Sequence, residues 1–136
     1  MLLELPRTQA EPHNPQITVA EAQAAARAVM NLFARWDLTD DEARQILGGL
    51  SPRTHARWKK GDIGRIDRDL ATRLSLLLGI HKALRYLFTD PELAYAWVKK
   101  PNAMLGGQRA LDVLLGGSIF ALERVRAFLD AERGGW

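Results

Sequence analysis

The chain has 136 residues, 19 Lys and Arg against 16 Asp and Glu, a net charge of +3 and no cysteine. That length suits one domain, or two small helical units sharing a core, and disfavours multidomain enzymes. So small a charge excludes a polycation, and the missing thiols exclude disulfide scaffolds, thiol nucleophiles and cysteine-based zinc sites.

Residues 1–16, with Pro6, Pro12 and Pro15, show no period and no basic-then-apolar leader, and are expected to form a flexible arm. Residues 20–36 are alanine-rich, and Val29, Leu32, Phe33 and Trp36 recur at the spacing of an amphipathic helix. Thr39 with Glu42 three residues on predicts a capping box, and Ala43, Ile46 and Leu47 give a short second helix its apolar face before Gly48-Gly49 ends it. Ser51-Pro52 starts a third helix over residues 52–60, because Ser supplies a cap oxygen and Pro is preorganised for the first helical position; Gly61 closes it. Asp67 caps a fourth, with Leu70, Leu74 and Leu77 on one stripe, ending at Gly79.

Residues 81–88 predict a fifth helix, and Asp90-Pro91 opens a sixth over 92–99 that Pro101 breaks. A loop at 104–107 leads into a helix over 108–115, stopped by Gly116-Gly117. Ser118 then caps a last helix with Ile119, Leu122, Val125 and Leu129 inward, ending near Glu132. No strand pair or repeat is legible, so the predicted class is all-α with about eight short helices. No segment approaches the roughly 18 apolar residues of a membrane span, and a cytoplasmic location without membrane partners is expected.

The positive charge is local. Residues 1–50 hold four Arg against seven acids; residues 51–73 hold seven bases against Asp62, Asp67 and Asp69; residues 74–136 hold eight bases against six acids. The basic block falls on the third helix, which only Gly48, Gly49 and Leu50 separate from the second. Two short helices around a glycine turn, the second one basic, form the pattern of a helix-turn-helix whose second helix enters the major groove. In SPRTHARWKK, Arg53, Thr54 and His55 occupy the N-terminal turn that reaches base edges, and Ser51 can bond a base or a phosphate. Arg57, Lys59 and Lys60 are placed for phosphates. Trp58, within the helical period, is read as core, and His55 has no i, i+4 partner for a metal. Paired half-sites predict a homodimer.

The text YAWVKKPNAMLGGQRALDVLLGGS, residues 95–118, reads by period alone as helix, proline-broken loop and helix. Its pattern of Trp97, Pro101-Asn102, Leu105, Gly107, Ala110-Leu111-Asp112, Leu114-Leu115 and Gly117 resembles the toxin-binding domain of the Xre/MbcA/ParS antitoxin family. The upstream LGGLSPRT, residues 47–54, with Arg57-Trp58, resembles the Xre-type helix-turn-helix that precedes it in those antitoxins.

The resemblance covers residues 20–133 and implies an Xre-like domain over 17–80 and a toxin-binding domain over 81–136, behind an arm over 1–16. It implies an antitoxin that blocks the active-site entrance of a RES-domain toxin, a family that depletes NAD, and that represses its own operon. The polar positions of the matching motif, Lys99, Lys100, Asn102, Arg109 and Asp112, are the expected toxin contacts. Arg133 and Trp136 join them, because a Trp behind Gly134-Gly135 is an exposed aromatic on a flexible tether, expected to enter or cap the toxin's active site. Where the family often has Ser before Pro, this chain has Arg109-Ala110, so the helix there is expected to start differently.

No phosphate loop, HExxH, nucleotide fingerprint or GxSxG is present, so no enzymatic activity, cofactor or metal is expected. The rival reading is a stand-alone helix-turn-helix regulator whose C-terminal half only dimerises.

Overall fold

The computed structural model describes residues 18–134; the expected arm over 1–16 and the expected toxin contact Trp136 lie outside the described residues. Local capping chemistry sets most boundaries. Thr18 opens α1 (Val19–Arg35): its hydroxyl accepts from Glu21 N at 3.0 Å while the Glu21 carboxylate accepts from Thr18 N at 2.9 Å. The same reciprocal pair, Thr39 with Glu42, opens α2 (Asp40–Ile46), as its spacing predicts. Ser51, Asp67, Asp90 and Ser118 cap α3 (Pro52–Lys59), α4 (Arg68–Leu87), α5 (Pro91–Ala96) and α7 (Ile119–Glu132), each side-chain oxygen accepting from a backbone N–H of the first turn. Trp97–Lys99 and Ala103–Leu105 are single 3-10 turns, and α6 (Ala110–Leu114) is one short turn of helix.

One expectation is overturned. Gly79 does not end a helix: α4 runs unbroken through it, joining what reads as two helices into one of 20 residues. The reason is tertiary. A Cβ at Gly79 would collide with the Arg126 guanidinium of α7, so glycine is what lets that side chain lie on the α4 backbone.

Leu74, Leu77, Ile80, Ala83 and Leu84 of α4 are all buried, and α4 packs along both α1 and α7. It runs parallel to α7, since Arg73 meets Gly117, Gly79 meets Arg126 and Tyr86 meets Arg133. A single apolar cluster continues from Val29, Phe33 and Trp36 through these residues to Leu111, Leu122 and Leu129. Among the described residues the only β pairing is one bridge, Pro101 with Arg109. No described helix is long and apolar enough to cross a membrane.

Candidate functional site

The turn between α2 and α3 is built from Gly48 and Gly49, both at positive φ (82° and 91°). Arg44 fastens it: its Nε donates to Leu50 O at 2.8 Å, and its own carbonyl accepts from Gly49 N at 2.8 Å. α3 is thereby held with one face on the core. Trp58 is buried on that face, as its spacing predicts.

His55 is buried beside it, at 4% exposure, and is corrected from base reader to core residue. Burial lowers its pKa below the ordinary 6.5, and the Lys59 and Arg44 charges act in the same direction against Asp40. Arg73, counted in the basic block, is also buried and serves the interior.

The outward face of α3 carries Arg53, Arg57, Lys59 and Lys60, all exposed. Two of the four are paired: Arg57 Nε with Asp62 Oδ2 at 3.2 Å, and Lys59 Nζ with Asp40 Oδ1 at 2.9 Å. The Lys59 hydrogen bond holds the Asp40 carboxyl below its usual range. Arg53 and Lys60 have no acidic partner among the described residues. Ser51 Oγ accepts from Thr54 N at 3.1 Å and donates to Thr54 Oγ1 at 3.0 Å, so these two hydroxyls hold the helix start as well as face solvent. Arg27, from α1, donates to Gly61 O at 3.3 Å and adds a further exposed cation where α3 ends. This arrangement presents separate donors along one helix face, suited to phosphates and base edges.

The candidate toxin contacts divide by what they already hold. Lys99 donates to Asp37 O at 2.7 Å, tying the 3-10 turn to the junction of α1 and α2. Lys100 is exposed. Asn102 Oδ1 accepts from Met104 N at 2.8 Å and caps the second 3-10 turn.

Arg109 and Asp112 are joined by up to three contacts, the shortest 2.6 Å, and the Asp112 carboxylate also accepts from Arg109 N at 3.0 Å. That pairing starts α6 without the Ser-Pro of the resembling motif, and it lowers the Asp112 pKa. Arg133 lies over the exposed Tyr86 ring at 4.9 Å. Sequence reading did not single out a shallow groove whose walls include Phe88, Trp97, Met104 and Phe128. Its signal was faint: Met104 sits in a loop, yet is 73% exposed. Among the described residues no three metal-ligating side chains cluster.

The two regions are bonded to each other. Arg73 Nη1 donates to Ile46 O at 3.2 Å, in the helix-turn-helix, and to Gly117 O at 2.5 Å, before α7. Gln45 Nε2 donates to Leu115 O at 2.7 Å across the same seam.

Comparison with known proteins agrees with this division. Residues 15–79 match the family model of the antitoxin Xre-like helix-turn-helix domain, and residues 83–135 match that of the antitoxin Xre/MbcA/ParS C-terminal toxin-binding domain. Uncharacterized protein y4oB of Sinorhizobium fredii (strain NBRC 101917 / NGR234) is 39% identical over 122 residues, covering 90% of this chain and 94% of the relative. With a helix-turn-helix and a toxin-binding domain in that order on an all-α frame, the chain belongs to the Xre-type antitoxins.

Proposed function

We propose that this antitoxin neutralises a RES-domain toxin by covering its active-site entrance, and that it represses its own operon as a homodimer in the cytoplasm. The observation that supports the reading most is the pair of family matches in one order, 15–79 then 83–135. The proposed DNA face is Ser51, Arg53, Thr54, Arg57, Lys59 and Lys60, with Arg53 reading a base and the others holding phosphates or the helix start. The proposed toxin face is Lys99, Lys100, Asn102, Arg109, Asp112, Arg133 and Trp136. The functional division lies at residues 80 and 81, inside α4, so both activities share one helix.

The test is co-expression with the product of the neighbouring gene, measuring cellular NAD with and without this chain, and binding of the purified complex to the upstream operator. NAD preserved only with the antitoxin present, and operator binding lost on Arg53→Ala, is the expected result. NAD that falls equally in both cases overturns neutralisation, and operator affinity unchanged by Arg53→Ala overturns the proposed reader.

A further inference from the structure

The groove described above lies at the far end of α4 from the helix-turn-helix. Ile46 meets α4 at Arg73, whereas the groove begins at Leu87 and Phe88, about 21 Å further along the helix axis at 1.5 Å per residue. Trp97 and Phe128 stack at 6.1 Å in its wall, Met104 stands beside them, and Asn102 and Glu132 are its polar members. Its volume is about 280 Å³. Pockets for cofactors and drug-sized ligands run about 300–1,000 Å³, so this one suits a single aromatic side chain.

The chain delivers such a side chain. Glu132 is both the last residue of α7 and part of the groove. Arg133 caps the helix, and Gly134 takes φ 93°, with its N–H donating to Ala131 O at 3.0 Å. A left-handed glycine there turns the backbone aside instead of prolonging the helix axis. Trp136 follows two residues later, a reach of at most about 7 Å, and the intervening Gly135 has no side chain to obstruct a return.

We propose that Trp136 docks in this groove of its own chain, its indole against Phe88, Trp97 and Phe128. Glu132 supplies the acceptor that a buried indole N–H requires. The docking needs no partner and stands or falls apart from toxin neutralisation.

Fluorine NMR of the full chain labelled with fluorotryptophan tests it. The four tryptophans give four resonances, and Trp136 is the one lost in Trp136→Phe. The expected result is a solvent-isotope shift for Trp136 well below that of the free labelled amino acid, unchanged on dilution. Met104→Glu, at a position 73% exposed and therefore harmless to the core, raises the shift towards the free value; Phe128→Ala does the same with helicity retained. A shift equal to the free amino acid in the parent chain overturns the proposal. So does protection that disappears on dilution together with a fall from dimer to monomer mass, which assigns Trp136 to a second copy.

Discussion

Arg73 on α4 donates through Nη1 to the carbonyl of Gly117, at 2.5 Å, in the turn before α7. The same nitrogen reaches Ile46 O at 3.2 Å, and Nε pairs with Asp69 at 2.8 Å. One side chain thus joins the end of the first helix of the helix-turn-helix to the toxin-binding half. Its planar fork makes this possible, since several N–H groups point at fixed angles to separate acceptors. Gly48 belongs to the arrangement: a Cβ there would stand 2.7 Å from Arg73 Cζ.

Arg73→Met is expected to lower stability by about 2–4 kcal/mol, because the carbonyls of Ile46 and Gly117 lose their donor inside the protein. Arg73→Lys recovers only part of this, a single ammonium being unable to serve all three acceptors. Urea unfolding of both variants is the measurement.

Gly79→Ala tests why α4 is continuous. An alanine in a helix interior ordinarily gains about 1 kcal/mol over glycine. Here the methyl displaces the Arg126 guanidinium and its 3.2 Å pair with Asp130, so the single change is expected to be close to neutral. On an Arg126→Ala background the same substitution stabilises by about 1 kcal/mol. A double-mutant cycle showing additivity would falsify the contact's role.

Asp62→Asn releases Arg57 from its 3.2 Å ion pair. If α3 lies along a phosphate backbone, the variant binds duplex DNA more tightly at low salt, and its salt slope steepens by up to about one unit. Anisotropy titrations across salt concentrations read both quantities, and an unchanged slope counts against an Arg57 phosphate contact.

Acid stability reports the two described histidines. Burial lowers the pKa of His55 and of His81 below the ordinary 6.5. The folded chain therefore holds them neutral while the unfolded chain takes up protons, so their contribution is complete above pH 6.5 and is lost as the pH falls below it. Glu21, Asp40 and Asp112, held low by hydrogen bonds, lose theirs only beneath their ordinary 4.5 and 3.8. Urea midpoints should therefore decline between pH 6.5 and 5, and His55→Gln should flatten that decline.

Capping was the most legible layer. Thr39 with Glu42, Ser51 with Pro52, Asp67, Asp90-Pro91 and Ser118 each start the helix that their chemistry implies. Such signals act within four residues, so the chain carries them whatever surrounds it. The exposed Arg53, Arg57, Lys59 and Lys60 were legible for a related reason, since helical period and charge together mark an outer face.

His55 was misplaced because position in a first turn says nothing about which way that turn faces; the packing of Trp58 rotates α3 so that His55 points inward. Arg73 carried a charge that reads as solvent-facing, and only the approach of Gly117, 44 residues away, turned it into an interior clamp.

The sequence by itself determined where helices begin, which face of α3 is basic, and the family pattern of both halves. Tertiary structure alone decided that Gly79 continues a helix, that Arg73 is interior, and that an aromatic groove forms beside the end of α7. Each of these depends on atoms brought from a distant part of the chain. Local propensity of about 1 kcal/mol per residue yields when such a contact supplies or removes more than that.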